Sequence, residues 1–206
     1  MLNEQRTGPV ASSDGAVNPA RADKEGAAVI TAAHGKYAEA ARRGKLFFSY
    51  CAARATSVPT TAQIGNIVWN PPGSGVVLAM LKWSAQIQVT SATTLGITFG
   101  YTAQAITPTT ATVADASGCT YLNAGSPGRG LAKAYAIGTL LVAPTPVMNL
   151  LHNTAAINTV GVDKIDGDFE GLWIIPPGYA CALSAITAAV AAAGMTSTLT
   201  WEEIPE

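Results

Sequence analysis

At 206 residues the chain has the length of one domain, or of one domain with an appendage. It is 49% hydrophobic but only 12% charged, about half the usual charged fraction, with a formal net charge of −1. That balance excludes a global basic field for nucleic acid, and it leaves a surface to be covered by Thr, Ser, Asn and Gln or by partners.

The charges are unevenly placed. Residues 1–45 hold seven Lys/Arg and five Asp/Glu, a net of +2, whereas the remainder holds five basic and eight acidic residues, a net of −3. The break near Lys45 marks the expected boundary between a head, residues 1–44, and a body, residues 45–206. Residues 1–25, rich in Gly, Ser, Pro, Ala and Asn, bury little; alone they would be disordered, and in an assembly they would serve as an extended arm. Residues 27–33 read as a short strand, and Tyr37 to Arg43, bounded by Gly35 and Gly44, as one or two helical turns.

The body opens on an apolar strand, Leu46 to Cys51, followed by a strand over Gln63–Trp69. Next comes Asn70-Pro71-Pro72-Gly73 and an uncharged apolar strand, Gly75–Leu81. Two prolines remove two N–H donors and fix φ, so a strand must end there, and glycine accepts the positive φ that the turn needs. In Lys82–Thr90 the odd positions are apolar and the even ones polar; in Leu95–Tyr101 the odd positions are again large and apolar. With the short link Ser91-Ala92-Thr93-Thr94 these two segments are expected to form a hairpin with one buried face.

Residues 102–130, dominated by Thr, Ala, Gly, Ser and Pro, read as a long exposed loop carrying a variable surface. Leu131–Ile137 is alanine-rich but favours strand or loop by its setting, and Thr139–Ala143 is a candidate strand. Phe169–Ile175 is a strand candidate that ends on a second Pro-Pro-Gly, Pro176-Pro177-Gly178. Tyr179–Ile186 follows as another strand, Ala185–Gly194 favours strand or loop, and Thr198–Glu202 repeats the period-2 pattern. Strands and turn signals at this spacing indicate an all-β fold, a jelly-roll-like antiparallel β-sandwich.

Candidate chemistry is sparse. Asp163, Asp166, Asp168 and Glu170 could supply oxygen ligands to calcium, but their spacing is not that of the twelve-residue calcium loop, and Asp166-Gly167 reads as a tight turn. His34 lies in the head and His152 in an expected loop, neither in a metal or general-base spacing. No Gly-x-Ser-x-Gly elbow is present, and Gly125–Gly130 lacks the Gly-Lys-Ser/Thr ending that grips phosphate. Cys51, Cys119 and Cys181 are expected as reduced, mostly buried thiols, and Trp69, Trp83, Trp173 and Trp201 mainly as core. Residues 171–200 lack charge, but Pro176-Pro177 and an Ala, Gly, Thr and Ser content argue against a membrane span. The N-terminal sequence lacks the apolar core of a signal peptide, so folding in a reducing cytoplasm is expected.

Asn3-Glu4-Gln5-Arg6-Thr7, Ala32-Ala33-His34-Gly35-Lys36-Tyr37-Ala38-Glu39-Ala40 and Arg43-Gly44 resemble the head of virion proteins of tailed bacteriophages. Asn70-Pro71-Pro72-Gly73-Ser74-Gly75, Ile175-Pro176-Pro177-Gly178 and Leu199-Thr200-Trp201-Glu202-Glu203-Ile204-Pro205 are similar too. The resemblance implies a β-sandwich virion component, a capsid decoration (cement) protein, and supplies no catalytic, cofactor-binding or metal residues.

The expected partners are then the major capsid protein and further copies of the chain, as a dimer or trimer, with neither nucleic acid nor membrane. The arm would grip the capsid through Arg6, Arg21, Tyr37, Arg42 and Arg43, on the capsid exterior of a virion assembled in the host cytoplasm. The alternative is a tail- or fibre-associated host-binding module with residues 102–130 as its contact. A carbohydrate-active enzyme would need paired carboxylates, for which only the Asp163–Glu170 turn offers candidates.

Overall fold

The computed structural model describes residues 37, 40–41, 43–55, 57–87, 95–112, 120–121, 130–153, 164–186 and 194–206. The chain closes a helical turn at Ala40–Ala41, where the amides of Gly44 and Lys45 donate to the carbonyls of Ala41 (3.0 Å) and Ala40 (2.9 Å). Beyond it, the regular elements among the described residues are strands. They are β1 (Leu46–Ala55), β2 (Ala62–Asn70), β3 (Val76–Ile87), β4 (Leu95–Ala103), β5 (Thr109–Thr112) and β6 (Thr120–Tyr121). They continue with β7 (Lys133–Thr139), β8 (Thr145–Asn153), β9 (Lys164–Asp168), β10 (Ile174–Ile175), β11 (Tyr179–Ala185) and β12 (Gly194–Pro205).

The strands form two antiparallel sheets. The first runs β10-β3-β12-β1-β6, with β9 on the same edge of β3 as β10; the second runs β5-β7-β2-β11-β4-β8. Leu78, Met80, Trp83, Leu199 and Trp201 of the first sheet share one buried cluster with Val68, Ile97, Phe99, Cys181 and Leu183 of the second. The body is therefore a β-sandwich. Each large apolar side chain taken from water there contributes roughly 1.5–3 kcal/mol.

Several polar groups inside the sandwich are paired across it, whereas Ser197 Oγ and the Trp201 indole N–H are buried without a partner among the described residues. Asn66 donates from Nδ2 to the carbonyls of Ser49 and Ser197, both at 3.2 Å, and accepts from Ser49 Oγ at 2.7 Å, tying β2 to β1 and β12 across the core.

Several sequence expectations change. The segments over 82–90 and 95–101 are not a hairpin: β3 belongs to the first sheet and β4 to the second. Their alternation reported that each buries one face, and both faces turn to the same core; it carried no information on which strand pairs with which. Asp166-Gly167 is not a turn but lies within β9, opposite Ser84 and Trp83 of β3. A Cβ on Gly167 would stand 2.6 Å from Trp83 Nε1, so glycine is present there to admit the indole rather than to turn the chain.

The chain turns instead at Glu170–Gly171, which carry φ of 53° and 82°. This breaks the strand expected over Phe169–Ile175 down to β10. The excursion stays anchored, because Phe169 N and Glu170 N donate to Leu81 O and Gly171 N to Met80 O. Finally, His152 sits in strand β8 rather than in a loop.

Candidate interaction surface

The two Pro-Pro-Gly segments are the corners at which the chain changes sheet. The first carries β2 of the second sheet into β3 of the first; the second carries β10 of the first sheet into β11 of the second. In the first, Ser74 N donates to Pro71 O at 3.2 Å around Gly73 at φ 73°, a type II turn. Gly178 of the second has φ 81°, and a Cβ placed on it would lie 3.8 Å from Pro72 Cγ, so the two turns stand side by side.

Asn70, fully buried, joins them. Its Nδ2 donates to Val76 O at 2.8 Å and Ile175 O at 3.1 Å, and its Oδ1 accepts from Ser74 Oγ at 2.6 Å.

On its outer side the second sheet carries a further layer. Alternation turns Ile67 and Trp69 of β2 and Ala180 and Ala182 of β11 away from the main core, where they meet Tyr135 and Leu140 in a second buried cluster. Two connections cover them: residues 104–108 between β4 and β5, and residues 140–144 between β7 and β8. Trp69 Nε1 donates to Gln104 O at 2.8 Å, and Pro108 packs near Gly138.

Gln104 clasps the two connections together. Its Oε1 accepts from Leu141 N at 2.8 Å and its Nε2 donates to Ile106 O at 2.7 Å, with the side chain fully buried. Residues 102–108 are thus in part a packed covering and not the exposed loop expected of 102–130, since Thr102, Gln104 and Pro108 are buried. What this layer shows to solvent is mainly apolar: Ile106 is 57% exposed, Leu141 50% and Val142 56%, with Thr107 the exposed polar side chain.

Charge divides between the two sheets. Among the described residues, the strands of the second sheet and segments 104–108 and 140–144 contain one formal charge, Lys133. The strands of the first sheet contain Arg54, Lys82, Lys164, Asp166, Asp168, Glu202 and Glu203. Lys82 Nζ lies 3.0 Å from Asp168 Oδ1 in an exposed pair, worth under about 1 kcal/mol. Glu203 is buried, and its carboxylate accepts from Leu131 N and Ala132 N at 3.0 Å each, fastening the entry of β7 to β12.

Of the predicted contact residues, Arg43 is exposed just ahead of β1 and Tyr37 is half-buried, while Arg6, Arg21 and Arg42 lie outside the described residues. Asp163, His34 and Cys119 also lie outside them. Asp166 and Asp168 are exposed on β9 and Glu170 sits in the turn, and no group of three metal-ligating side chains gathers among the described residues. No helix of the described residues is long and apolar enough to cross a membrane; within 171–200 the described elements are β10, β11 and the start of β12.

Cys51 and Cys181 are buried, and burial pushes the Cys181 thiol up to about 12. Trp69, Trp83 and Trp201 are buried, whereas Trp173 is half-buried at the rim, 6.1 Å from Phe99 and 6.4 Å from Tyr101 between ring centroids.

Ile106, Leu141 and Val142 are the surface residues that the sequence did not reveal. The run Leu140-Leu141-Val142 belongs to the strand expected over Thr139–Ala143, but β7 stops at Thr139, and of the three only Leu140 is buried. No protein-family model, curated protein or solved structure matches the chain.

Proposed function

We propose that this chain is a non-enzymatic virion structural protein of a tailed bacteriophage, which decorates and stabilises the capsid by binding the major capsid protein and by self-association. The observation that carries the reading is the division of charge: among the described residues, one sheet and the connections that cover it are almost uncharged, and those connections present Ile106, Leu141 and Val142 to solvent. Monomers that work alone seldom leave such a patch uncovered, and interface cores are depleted in charge. The likeness of the chain's turn and strand-end motifs to tailed-phage virion proteins points the same way.

The pairing order supports a jelly roll as the finer description of the sandwich. β1 pairs β12, β2 pairs β11, β3 pairs β10 and β9, and β4 pairs β8, alternating between the sheets as a long hairpin folded over itself would. β5, β6 and β7 are then an insertion between β4 and β8 that widens both sheets on one side. Residues 1–44 act as an arm toward the capsid, with Arg6, Arg21, Tyr37, Arg42 and Arg43 as its anchors. The packing of 104–108 onto the second sheet lends no support to a host-binding loop at 102–130.

Deleting residues 1–44 and measuring binding to phage heads that lack the protein tests this reading. The expected result is a folded, oligomeric body that no longer binds heads. Undiminished head binding by the truncated protein would refute the arm, and absence of head binding by the full chain would refute decoration itself.

A further inference from the structure

We draw no further inference here: the strongest candidate, the exposed apolar patch of Ile106, Leu141 and Val142 on the connections over the second sheet, carries none because nothing in the structure shows what covers it.

Discussion

The amide of Gly178 donates to the carbonyl of Asn70 at 2.8 Å, so the second Pro-Pro-Gly turn is hydrogen-bonded to the residue that opens the first. Each turn is a corner where the chain leaves one sheet for the other. Coupling the corners fixes how the sheets are offset at that end of the sandwich, and with them the strand ends that border the uncharged face.

Asn70 is accordingly expected to contribute more than an ordinary buried amide. Asn70→Ala withdraws donors from the carbonyls of Val76 and Ile175 and the acceptor from Ser74 Oγ. The expected loss is about 2–3 kcal/mol, or roughly 5–10 °C in thermal midpoint for a chain of this size. Ser74→Ala removes one partly buried bond and should cost about 1 kcal/mol or less. Thermal melts of both variants check this; equal losses would mean that Asn70 does not couple the corners.

Two glycines are predicted to be required for different reasons. Gly73 has φ 73° and nothing within 4 Å of a Cβ built on it, so its requirement is conformational. Gly73→Ala should cost about 1–2 kcal/mol, and Gly73→Asn should recover much of that, because Asn enters the left-handed region more readily. Gly167 is not at positive φ and meets the Trp83 indole, which is buried in the main core and cannot retreat. Gly167→Ala should cost about 1–3 kcal/mol by overpacking, shift tryptophan fluorescence, and not be rescued by Asn. Rescue at position 167, or its failure at position 73, would reverse the assignment.

The faces of the strands were legible in the sequence, and their partners were not. Trp83 and Ala85, Ile97 and Phe99, and Leu199 and Trp201 all fall inward as the period-2 pattern requires. The pattern is silent on pairing, because β3 and β4 bury their apolar faces against the same core from opposite sheets. The Pro-Pro-Gly turns were legible as strand ends; that they lie together depends on Asn70, whose burial nothing local announces. The interaction surface was hidden for a similar reason. Leu141 lies on the surface with its amide bound to the side chain of Gln104, a residue 37 positions away, which no local pattern announces.

Cys181 makes the stability of the fold fall at alkaline pH. Burial raises its thiol from 9.0 to about 12, so the folded chain holds the proton where the unfolded chain releases it. Below pH 9 the thiol is neutral in both states and contributes no slope. Between about pH 9 and 12 the unfolded state gains by ionising, and stability falls by up to about 4 kcal/mol, following 1.36 kcal/mol per pH unit. Cys181→Ala should remove this part of the alkaline loss, at a cost near neutrality from the small cavity beside Met80, whose sulfur lies 4.0 Å from the thiol. Urea titrations of both proteins at pH 7 and pH 11 check it. A difference between them that does not shrink with rising pH would count against the assignment.

Glu203 is the one acidic side chain drawn into the sandwich among those described, and its role is to accept two amide hydrogens at the entry to β7. Glu203→Gln offers one acceptor oxygen and turns an NH₂ toward the other amide, so about 1–3 kcal/mol should be lost. Glu203→Ala leaves both amides without an acceptor and should cost more, with faster hydrogen exchange at Leu131 and Ala132. Glu202→Gln, one residue earlier on the half-exposed outer side, should stay within about 0.5 kcal/mol of wild type. Denaturant titrations give the three stabilities and exchange mass spectrometry gives the local effect. Loss of stability in Glu203→Gln without faster exchange at residues 131–132 would show that the carboxylate acts elsewhere than on the β7 entry.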